Sequence, residues 1–219
     1  MSAALRVLLV DHQDSFAWNL AHALGAVTGE LPEVVDHRAL DPERIAAEPP
    51  GLLVLGAGPG HPEQPRDAGR SLELLRALPA DVPTFGVCFG LQLVVTAFGG
   101  KVVPALAPVH GKSVAVVHAE SGGKDGAAAS GLFAGLPSPV SMMRYHSFVA
   151  QREGWPRELR VVGESPLGEV MALVHVRRPI WAVQFHPESI GSPLGARLIE
   201  NVVALARRRA DVEHAEPTT

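Results

Sequence analysis

Short runs of consecutive apolar residues alternate with amphipathic segments through the first half of the chain. Four apolar runs predict strands, at residues 6–10, 33–36, 51–55 and 83–87. Amphipathic segments predict helices at residues 16–27, 67–78 and 89–98, with a short helix opening at Asp41-Pro42. Strands that are apolar throughout are typical of a sheet covered on both faces. The alternation predicts an α/β fold with a mostly parallel central sheet flanked by helices.

The pattern changes in the second half, where strands follow one another without helices between them. Strands are predicted at residues 101–103, 113–117, 140–143, 159–162, 170–176 and 180–184. Tight turns such as Arg177-Arg178-Pro179 favour additional antiparallel pairing here. A final amphipathic helix is predicted at residues 193–209. We therefore expect a single domain at residues 1–209, with a glycine-rich spacer loop at 122–131 and a disordered tail at 210–219.

Composition narrows the classes of protein to which the chain can belong. Of its 219 residues, 47% are hydrophobic and 19% are charged, which provides material for a core and argues against wholesale disorder. The formal net charge of −4 does not indicate a nucleic-acid partner, and no apolar run reaches the roughly 18 residues of a membrane span. The single cysteine excludes an internal disulfide and a cysteine-cluster metal site, so we expect a cytoplasmic protein.

Residues 83–92 are the stretch around which the candidate chemistry is organised. An apolar strand breaks at Gly86 and a helix begins at Phe89, which leaves Cys88 at the corner. This layout matches the G-x-S-x-G nucleophile elbow with cysteine in place of serine, and the flanking Gly86 and Gly90 suit so tight a turn. The N-terminus of the following helix favours a negative charge on the sulfur. The alternative is an inert, buried cysteine.

A thiolate nucleophile needs a base and a group that orients the base. Among the ten histidines, His186 stands out because it directly follows a predicted strand. Glu188 lies two residues later, across a rigid proline, where its carboxylate can reach the imidazole and fix its tautomer. The alternative for His186 is an ordinary histidine of a surface loop.

The segment at residues 56–62 also follows a predicted strand and is too rich in glycine and proline to be a helix or a strand. This loop, the turn at Asp11 and Cys88 therefore belong at the carboxyl edge of the sheet, where sites of such folds lie. Beside Cys88, the backbone N–H groups of Gly58 and Phe89 can bind the oxyanion of a tetrahedral intermediate. The alternative is a plain loop, and the absence of a following Lys-Ser/Thr pair excludes a phosphate P-loop.

Five blocks together resemble the signature of the class I (triad) glutamine amidotransferases, which have a flavodoxin-like fold. The blocks are Gly58-Pro59-Gly60-His61-Pro62, Gly86-Val87-Cys88-Phe89-Gly90-Leu91-Gln92, His110-Gly111-Lys112, Arg144-Tyr145-His146-Ser147-Phe148 and Gln184-Phe185-His186-Pro187-Glu188-Ser189. Asp14-Ser15-Phe16 followed by Asn19-Leu20 is similar to the amidotransferase subunits of anthranilate synthase and aminodeoxychorismate synthase. The resemblance covers about residues 5–206, and the blocks are specific in combination.

The resemblance implies a role for each residue that matches the catalytic blocks. Cys88 attacks the side-chain amide of glutamine and forms a γ-glutamyl thioester. His186 moves the protons and Glu188 orients His186, so that the three form a catalytic triad. The backbone of Gly58 and Phe89 forms the oxyanion hole.

The resemblance also implies the substrate, the partner and the cofactors. Gln92, Ser147 and Phe148 are expected to hold L-glutamine. The remaining candidates for the substrate site are Pro59, Gly60, Tyr145 and His146, of which the last two can also be packing or partner-facing residues. Ammonia is expected to pass to a separate chorismate-binding synthase subunit in a hetero-oligomer. No cofactor or metal is expected in this subunit, whereas Mg²⁺ is expected on the synthase partner.

Several positions depart from the family pattern, although none removes a triad member. The departures are His12 in place of asparagine, Gly56-Ala57 in place of Ser-Pro, Phe89 in place of leucine and Leu91 in place of histidine. The product stays open between anthranilate, which is preferred, aminodeoxychorismate and aminodeoxyisochorismate. Two other classes are a free-standing cysteine hydrolase or stress protein with the same elbow and a non-catalytic regulatory module.

Three segments at the edge of the site are predicted to be irregular, at residues 11–15, 56–62 and 145–148. Irregular segments can leave an oxyanion donor misdirected until a neighbour fixes them. We therefore expect the isolated chain to be a slow glutaminase that its synthase partner activates.

Overall fold

The computed structural model describes residues 5–118 and 131–215. Its strands are β1 (Val7–Asp11), β2 (Glu33–Asp36), β3 (Leu52–Leu55), β4 (Thr84–Val87), β5 (Val102–His118), β6 (Val140–Ala150), β7 (Leu159–Glu164), β8 (Val170–His175) and β9 (Ile180–Val183). Its α-helices are α1 (Ala17–Thr28), α2 (Pro42–Ala47), α3 (Pro65–Ala68), α4 (Ser71–Ala77), α5 (Phe89–Ala97) and α6 (Gly195–Ala215), and a 3₁₀ turn spans His37–Ala39.

Within these residues the nine strands form one sheet in the order β2-β1-β3-β4-β9-β8-β7-β5-β6. The strands from β2 to β9 in this order pair in parallel. From β9 onwards every pair is antiparallel, and the turn at Arg177-Arg178-Pro179 joins β8 to β9 in this way. The predicted α/β fold, with a parallel centre and antiparallel strands from the second half of the chain, is confirmed.

The parallel strands bury a hydrophobic cluster on each face of the sheet because their side chains alternate between the faces. Helices α1 and α6 cover one face, through residues such as Leu24 and Leu198. Helices α4 and α5 cover the other face, through residues such as Leu74 and Leu93. These four side chains are fully buried, and burial of each contributes about 1.5–3 kcal/mol. With both faces covered, the carboxyl edge is the part of the parallel sheet left open for a site.

The carboxyl edge gathers the segments that the sequence singles out. Strands β1, β3, β4 and β9 are parallel neighbours, so their carboxyl ends lie side by side. The turn at residues 12–15 follows β1, and the loop at residues 56–62 follows β3. Cys88 follows β4, and His186 lies shortly after β9. The parallel topology therefore brings together residues as far apart in the chain as His12 and His186.

The helix predicted at residues 67–78 is two helices, and the prediction is wrong at its centre. Helix α3 ends at Ala68 and α4 begins at Ser71. Between them Gly69 adopts a positive φ of 55°, where the chain turns against His37. A Cβ at Gly69 would lie 2.4 Å from the carbonyl oxygen of His37, so the break requires glycine.

The separate strands predicted at residues 101–103 and 113–117 are parts of the single strand β5, and β6 continues past Met143 to Ala150. The two strands pair with register shifts between Pro104 and Val109 and between His110 and Lys112. Such bulges interrupt the alternating pattern by which a strand is recognised in sequence. Residues 145–148 lie in β6, so the prediction that this segment is irregular is wrong.

The end of the chain differs from its prediction as well. Helix α6 continues to Ala215, past the domain boundary predicted at residue 209, and the single domain and its tail stay predictions. Alanine, arginine and glutamate favour helix even where the apolar stripe has ended. Residues 216–219 and all but the last residue of the predicted spacer loop at 122–131 lie outside the described residues. No helix in the described ranges is both long and apolar enough to cross a membrane.

Candidate active site

The turn between β4 and α5 holds Cys88 in a strained backbone conformation. Cys88 has φ 53° and ψ −99°, and a non-glycine residue in such a sparsely populated region costs of order 1–3 kcal/mol. A Cβ on Gly86 would lie 2.7 Å from the carbonyl group of Gly90, and a Cβ on Gly90 would lie 2.1 Å from the carbonyl oxygen of Leu55. Direct backbone packing therefore fixes the corner, and this is the geometry of the predicted nucleophile elbow.

The Cys88 sulfur is almost enclosed, and the Gln184 side chain places a donor beside it. Cys88 is 4% exposed and precedes the first turn of α5, whose N-terminus stabilises negative charge. Gln184 Nε2 donates to Cys88 Sγ across 3.7 Å, and Gln184 Oε1 accepts from Gln92 Nε2 at 3.5 Å. Sequence reasoning placed Gln92 in the site and missed Gln184. The signal that could have found it is its position directly after β9, two residues before His186.

His186 and Glu188 form a buried pair. His186 Nδ1 lies 2.7 Å from Glu188 Oε1, and the two side chains are 2% and 1% exposed. Burial by itself lowers the pKa of His186. The charge of Cys88 and hydrogen bonds to Cys88 and Glu188 outweigh burial and hold the pKa of His186 well above its ordinary value. Glu188 therefore fixes the proton on Nδ1 and favours an imidazolium beside the sulfur.

The imidazole is held from several directions. The backbone N–H of His186 donates to the carbonyl oxygen of Met143 at 2.9 Å, and the carbonyl oxygen of His186 accepts from Ser192 Oγ at 2.6 Å. The ring of Tyr145 stands nearly perpendicular to the imidazole, with 5.3 Å between ring centroids. His186 Nε2 makes no hydrogen bond of regular geometry in the described part of the chain. This nitrogen is therefore the one left to exchange protons at the sulfur.

Gly58 and Phe89, whose backbone is predicted to form an oxyanion hole, both lie beside Cys88. Phe89 is the first residue of α5, so its N–H has no partner within the helix. Gly58 lines the same cavity as Cys88. A Cβ on Gly58 would lie 2.4 Å from Cβ of His12 and 2.7 Å from its carbonyl oxygen, so the loop backbone rests directly on the turn after β1. This contact keeps the Gly58 backbone close to the elbow.

A cavity of about 460 Å³ opens at the sulfur. Its lining residues are Gln13, Asp14, Ser15, Gly58, Pro59, Gly60, Cys88, Gln92, His110, Tyr145, His146, Ser147 and Phe148. All the substrate-site candidates from the sequence line this cavity except Phe89, whose buried ring leaves only its backbone available. The volume suits a ligand of the size of an amino acid. We refer to it below as the active-site cavity.

The turn after β1 and His110 complete the lining and were not among the predicted site residues. Asp14 accepts the backbone N–H of Phe16 at 2.7 Å, and burial is the main cause that raises the pKa of its carboxyl. His110 Nε2 lies 3.0 Å from Ser147 Oγ, across the paired strands β5 and β6. The position of the Asp14 turn at the carboxyl edge was visible in the sequence. The approach of His110 depends on the register of β5 and β6, which the sequence did not reveal.

Residues 144–148 of β6, the β6 wall, form one side of the cavity and are held by a buried polar network. Arg144 Nε donates to His146 Nε2 at 2.9 Å, and Arg144 Nη2 lies 2.8 Å from Glu169 Oε2. Burial, followed by the charge of Arg144, lowers the pKa of His146 to about 3, so the ring is neutral. His146 Nδ1 donates to the carbonyl oxygen of Phe148 at 2.9 Å, and Gln92 Nε2 donates to the same oxygen at 3.3 Å.

Both ring nitrogens of His146 are therefore engaged by the protein. The sequence made His146 a candidate for the substrate site; the residue lines the cavity, while its two nitrogens are bonded to Arg144 and to the Phe148 carbonyl. The ring fixes the Phe148 carbonyl, and that carbonyl in turn fixes the Gln92 amide beside the cavity.

Comparisons with known proteins agree with this fold and with the family resemblance. The sequence profile of the family described as glutamine amidotransferase class-I matches residues 8–205. The chain belongs to this family, and the resemblance stated from its motifs is confirmed.

Two curated relatives show which members of the family this chain is similar to. The chain is 41% identical to anthranilate synthase component 2 of Azospirillum brasilense, over 92% of this chain and 97% of that protein. It is 42% identical to aminodeoxychorismate synthase of Streptomyces griseus, over 96% of this chain but only 27% of that protein, so it spans about a quarter of the larger relative.

A solved structure shows the same fold. A Thermoplasma acidophilum protein, described as one of the subunits of GMP synthase, superposes with a TM-score of 0.83, covering 98% of this chain and 100% of that one. The sequence identity is 22%, so this likeness concerns the fold alone.

Proposed function

We propose that this chain is the glutaminase subunit of a chorismate-using synthase, in which Cys88 is the nucleophile. The observation that carries the proposal is the convergence of a strained Cys88 and the buried His186–Glu188 pair beside a cavity of amino-acid size. The similarity to anthranilate synthase component 2 and to aminodeoxychorismate synthase supports a chorismate-using partner.

The first half of the reaction forms a thioester. The Cys88 thiolate attacks the side-chain carbonyl carbon of glutamine, a C–S bond forms, and the π electrons move to the oxygen. The backbone N–H groups of Gly58 and Phe89 bind the resulting oxyanion. As the intermediate collapses, the C–N bond breaks and the His186 imidazolium gives its proton to the departing nitrogen, which leaves as ammonia.

The second half of the reaction regenerates the enzyme. His186, now neutral, takes a proton from water as the water oxygen attacks the thioester carbon. Collapse of the second tetrahedral intermediate breaks the C–S bond, releases glutamate and returns the sulfur as a thiolate beside the imidazolium. Glu188 keeps Nδ1 of His186 protonated throughout, so that Nε2 handles each transfer.

Ammonia then passes to the synthase subunit, where it is added to chorismate. Anthranilate is the preferred product of the assembly because a relative of nearly equal length is an anthranilate synthase component. Aminodeoxychorismate is the second candidate because a relative of that activity is equally similar over this chain. The proposal places no cofactor in this chain, and Mg²⁺ is assigned to the synthase.

The test combines the purified chain with candidate synthase subunits. Glutamate release is measured for the chain alone, with synthase, and with synthase plus chorismate, and the aminated product is identified by mass spectrometry. We expect slow hydrolysis alone and a rise of about 10²-fold in the full mixture, because the turn at residues 12–15 and the loop at 56–62 are irregular and can be ordered by a partner. Equal rates in all three mixtures would contradict the gating and favour a free-standing hydrolase.

A further inference from the structure

His12 is a buried residue at the carboxyl edge that the reaction described above does not use. It directly follows β1 and is 2% exposed. Its Nε2 lies 2.8 Å from Ser71 Oγ, at the start of α4, and its ring stacks on that of His37 with 5.4 Å between centroids. The His12 side chain therefore contacts the start of α4 and the 3₁₀ turn at His37–Ala39.

The same residue touches both sources of the oxyanion hole. The His12 ring packs against the Phe89 ring, with 5.1 Å between centroids. On the other side, the Gly58 backbone approaches so closely that a Cβ there would lie 2.4 Å from Cβ of His12. His12 is thus the spacer between the loop that carries Gly58 and the helix that begins with Phe89.

The electrostatic state of His12 suits a rigid spacer. Burial, followed by the nearby His37, lowers the pKa of His12 to about 3, so the ring is neutral under ordinary conditions. Its Nδ1 has no hydrogen bond of regular geometry among the described residues. The backbone of Gly56 lies near enough to the ring to act against the two causes that lower the pKa. The neutral ring is therefore held by its hydrogen bond to Ser71 and by its packing on the rings of His37 and Phe89.

We propose that His12 is a positioning residue that sets the separation between the Gly58 and Phe89 donors of the oxyanion hole. The inference rests on the proposed function, because it assumes that these two N–H groups bind the oxyanion. His12 stands where the family pattern has asparagine, so the spacer would be a feature of this chain. The Gly58 loop rests on the Cβ and carbonyl oxygen of His12, whereas the ring supports Phe89, so loss of the ring would let the start of α5 shift relative to the Gly58 loop and misdirect one donor.

The experiment compares three readouts in His12→Ala, His12→Phe and His12→Asn. The first is kcat and KM for glutamine hydrolysis. The second is inhibition by glutamate γ-semialdehyde, whose aldehyde adds to the Cys88 sulfur and places an oxyanion in the hole. The third is alkylation of Cys88 by iodoacetamide, which forms no oxyanion. His175→Ala is the matched control, because His175 is 6% exposed and packs on Phe98 at the opposite edge of the sheet.

We expect His12→Ala and His12→Asn to lower kcat by about 10–100-fold and to weaken the aldehyde by the same factor. KM and the alkylation rate should stay within about threefold. His12→Phe keeps a ring of similar size and should retain most of the turnover, and His175→Ala should leave all three readouts near wild type. If His12→Ala does not fold, the contrast between the Asn and Phe variants decides.

Two results would overturn the proposal. One is a kcat in the folded Asn or Ala variant that equals the wild-type value. The other is an alkylation rate that falls as far as kcat, since the nucleophile itself would then be displaced. A failure of the proposed function is distinguishable, because in that case the aldehyde would not inhibit even the wild-type chain.

Discussion

The two sides of the active-site cavity are held by different forces. Around Cys88, backbone atoms are in direct contact, and Gly58, Gly86 and Gly90 leave no room for a methyl group. The β6 wall is held instead by hydrogen bonds among buried polar groups, from Arg144 through His146 to the Phe148 carbonyl. Steric contacts tolerate almost no change, whereas one lost hydrogen bond costs about 0.5–1.5 kcal/mol. Substitutions should therefore impair turnover on the first side and glutamine affinity on the second.

Replacement of the nucleophile is the strongest test of the first side. Cys88→Ser should lower glutamine-dependent synthesis by more than about 10³-fold, because a hydroxyl is far less ionised than a thiol. Synthesis from added ammonium chloride by the same complex should be unchanged, since the synthase subunit performs that step. Both rates are measured on the assembled complex. Substantial glutaminase activity in the serine variant would contradict the assignment of Cys88.

The triad partners should differ in the size of their effect. His186→Ala removes the group that transfers protons, whereas Glu188→Gln removes only the carboxylate that orients and stabilises the imidazolium. We expect the loss in kcat to be about tenfold smaller for Glu188→Gln than for His186→Ala. Circular dichroism checks that both variants fold. Equal losses would indicate that Glu188 has a chemical role of its own.

The pH profile gives a second measure of the Glu188 contribution. Although burial lowers the pKa of His186, charge and hydrogen bonding from Cys88 and Glu188 raise it well above its ordinary value, so the imidazolium persists to higher pH than that of a free histidine and activity should fall as pH rises through the raised pKa. Glu188→Gln removes one of the raising causes and should move this alkaline limb of kcat/KM to lower pH. A limb that stays in place would show that the Glu188 charge does not act on His186.

A methyl group added at Gly58, in the loop at residues 56–62, should impair turnover with little effect on the affinity for glutamine. Gly58→Ala would bring a Cβ to 2.4 Å from Cβ of His12, so the loop must shift. Loss of one oxyanion donor costs about 10²–10³-fold in kcat, and KM should change little. Gly25→Ala is a control for glycine substitution in general, because Gly25 lies inside helix α1 and a Cβ there would meet first the flexible end of the Leu31 side chain, at 3.0 Å. A Gly58 variant with wild-type kcat would show that this loop contributes no donor to the oxyanion hole.

A substitution in the β6 wall should have the smallest effect on activity. It should raise KM rather than lower kcat, the opposite of a substitution beside Cys88. His146→Leu keeps the volume but removes the donor to the Phe148 carbonyl and the acceptor for Arg144. We expect KM for glutamine to rise about 3–10-fold, with a smaller change in kcat. Ser141→Ala, an exposed site on the same strand, is the matched control. A fall in kcat with unchanged KM would show that the two sides are not distinct.

The same contrast separates what the sequence revealed from what it did not. The parallel half was predictable because each strand is apolar throughout and ends in a glycine- or turn-rich segment, which placed Cys88 and Gly58 at one edge. In the antiparallel half, two register shifts conceal β5, and polar residues face the cavity along β6. The motif Arg144-Tyr145-His146-Ser147-Phe148 therefore identified a site segment without revealing that it is a strand.

Contacts between segments that are distant in the chain could not be predicted from the sequence either. Gln184 donates to Cys88 from 96 positions away, and Arg144 lies beside Glu169 because β6 and the residues before β8 meet. Such partners depend on register and rotamer, and these are set by packing rather than by local pattern. The steric constraint on Gly69, which splits a predicted helix, is likewise visible only against His37.

The most direct test of the account is covalent labelling of the only cysteine in the chain. The purified protein is treated with 6-diazo-5-oxo-L-norleucine, an electrophilic glutamine analogue, with and without free glutamine, and the adduct is located by peptide mass spectrometry. The account predicts one adduct, at Cys88, that forms more slowly as glutamine is added and is absent in Cys88→Ser. Labelling that glutamine does not slow, or that survives in the serine variant, would contradict a glutamine-binding nucleophile at this position.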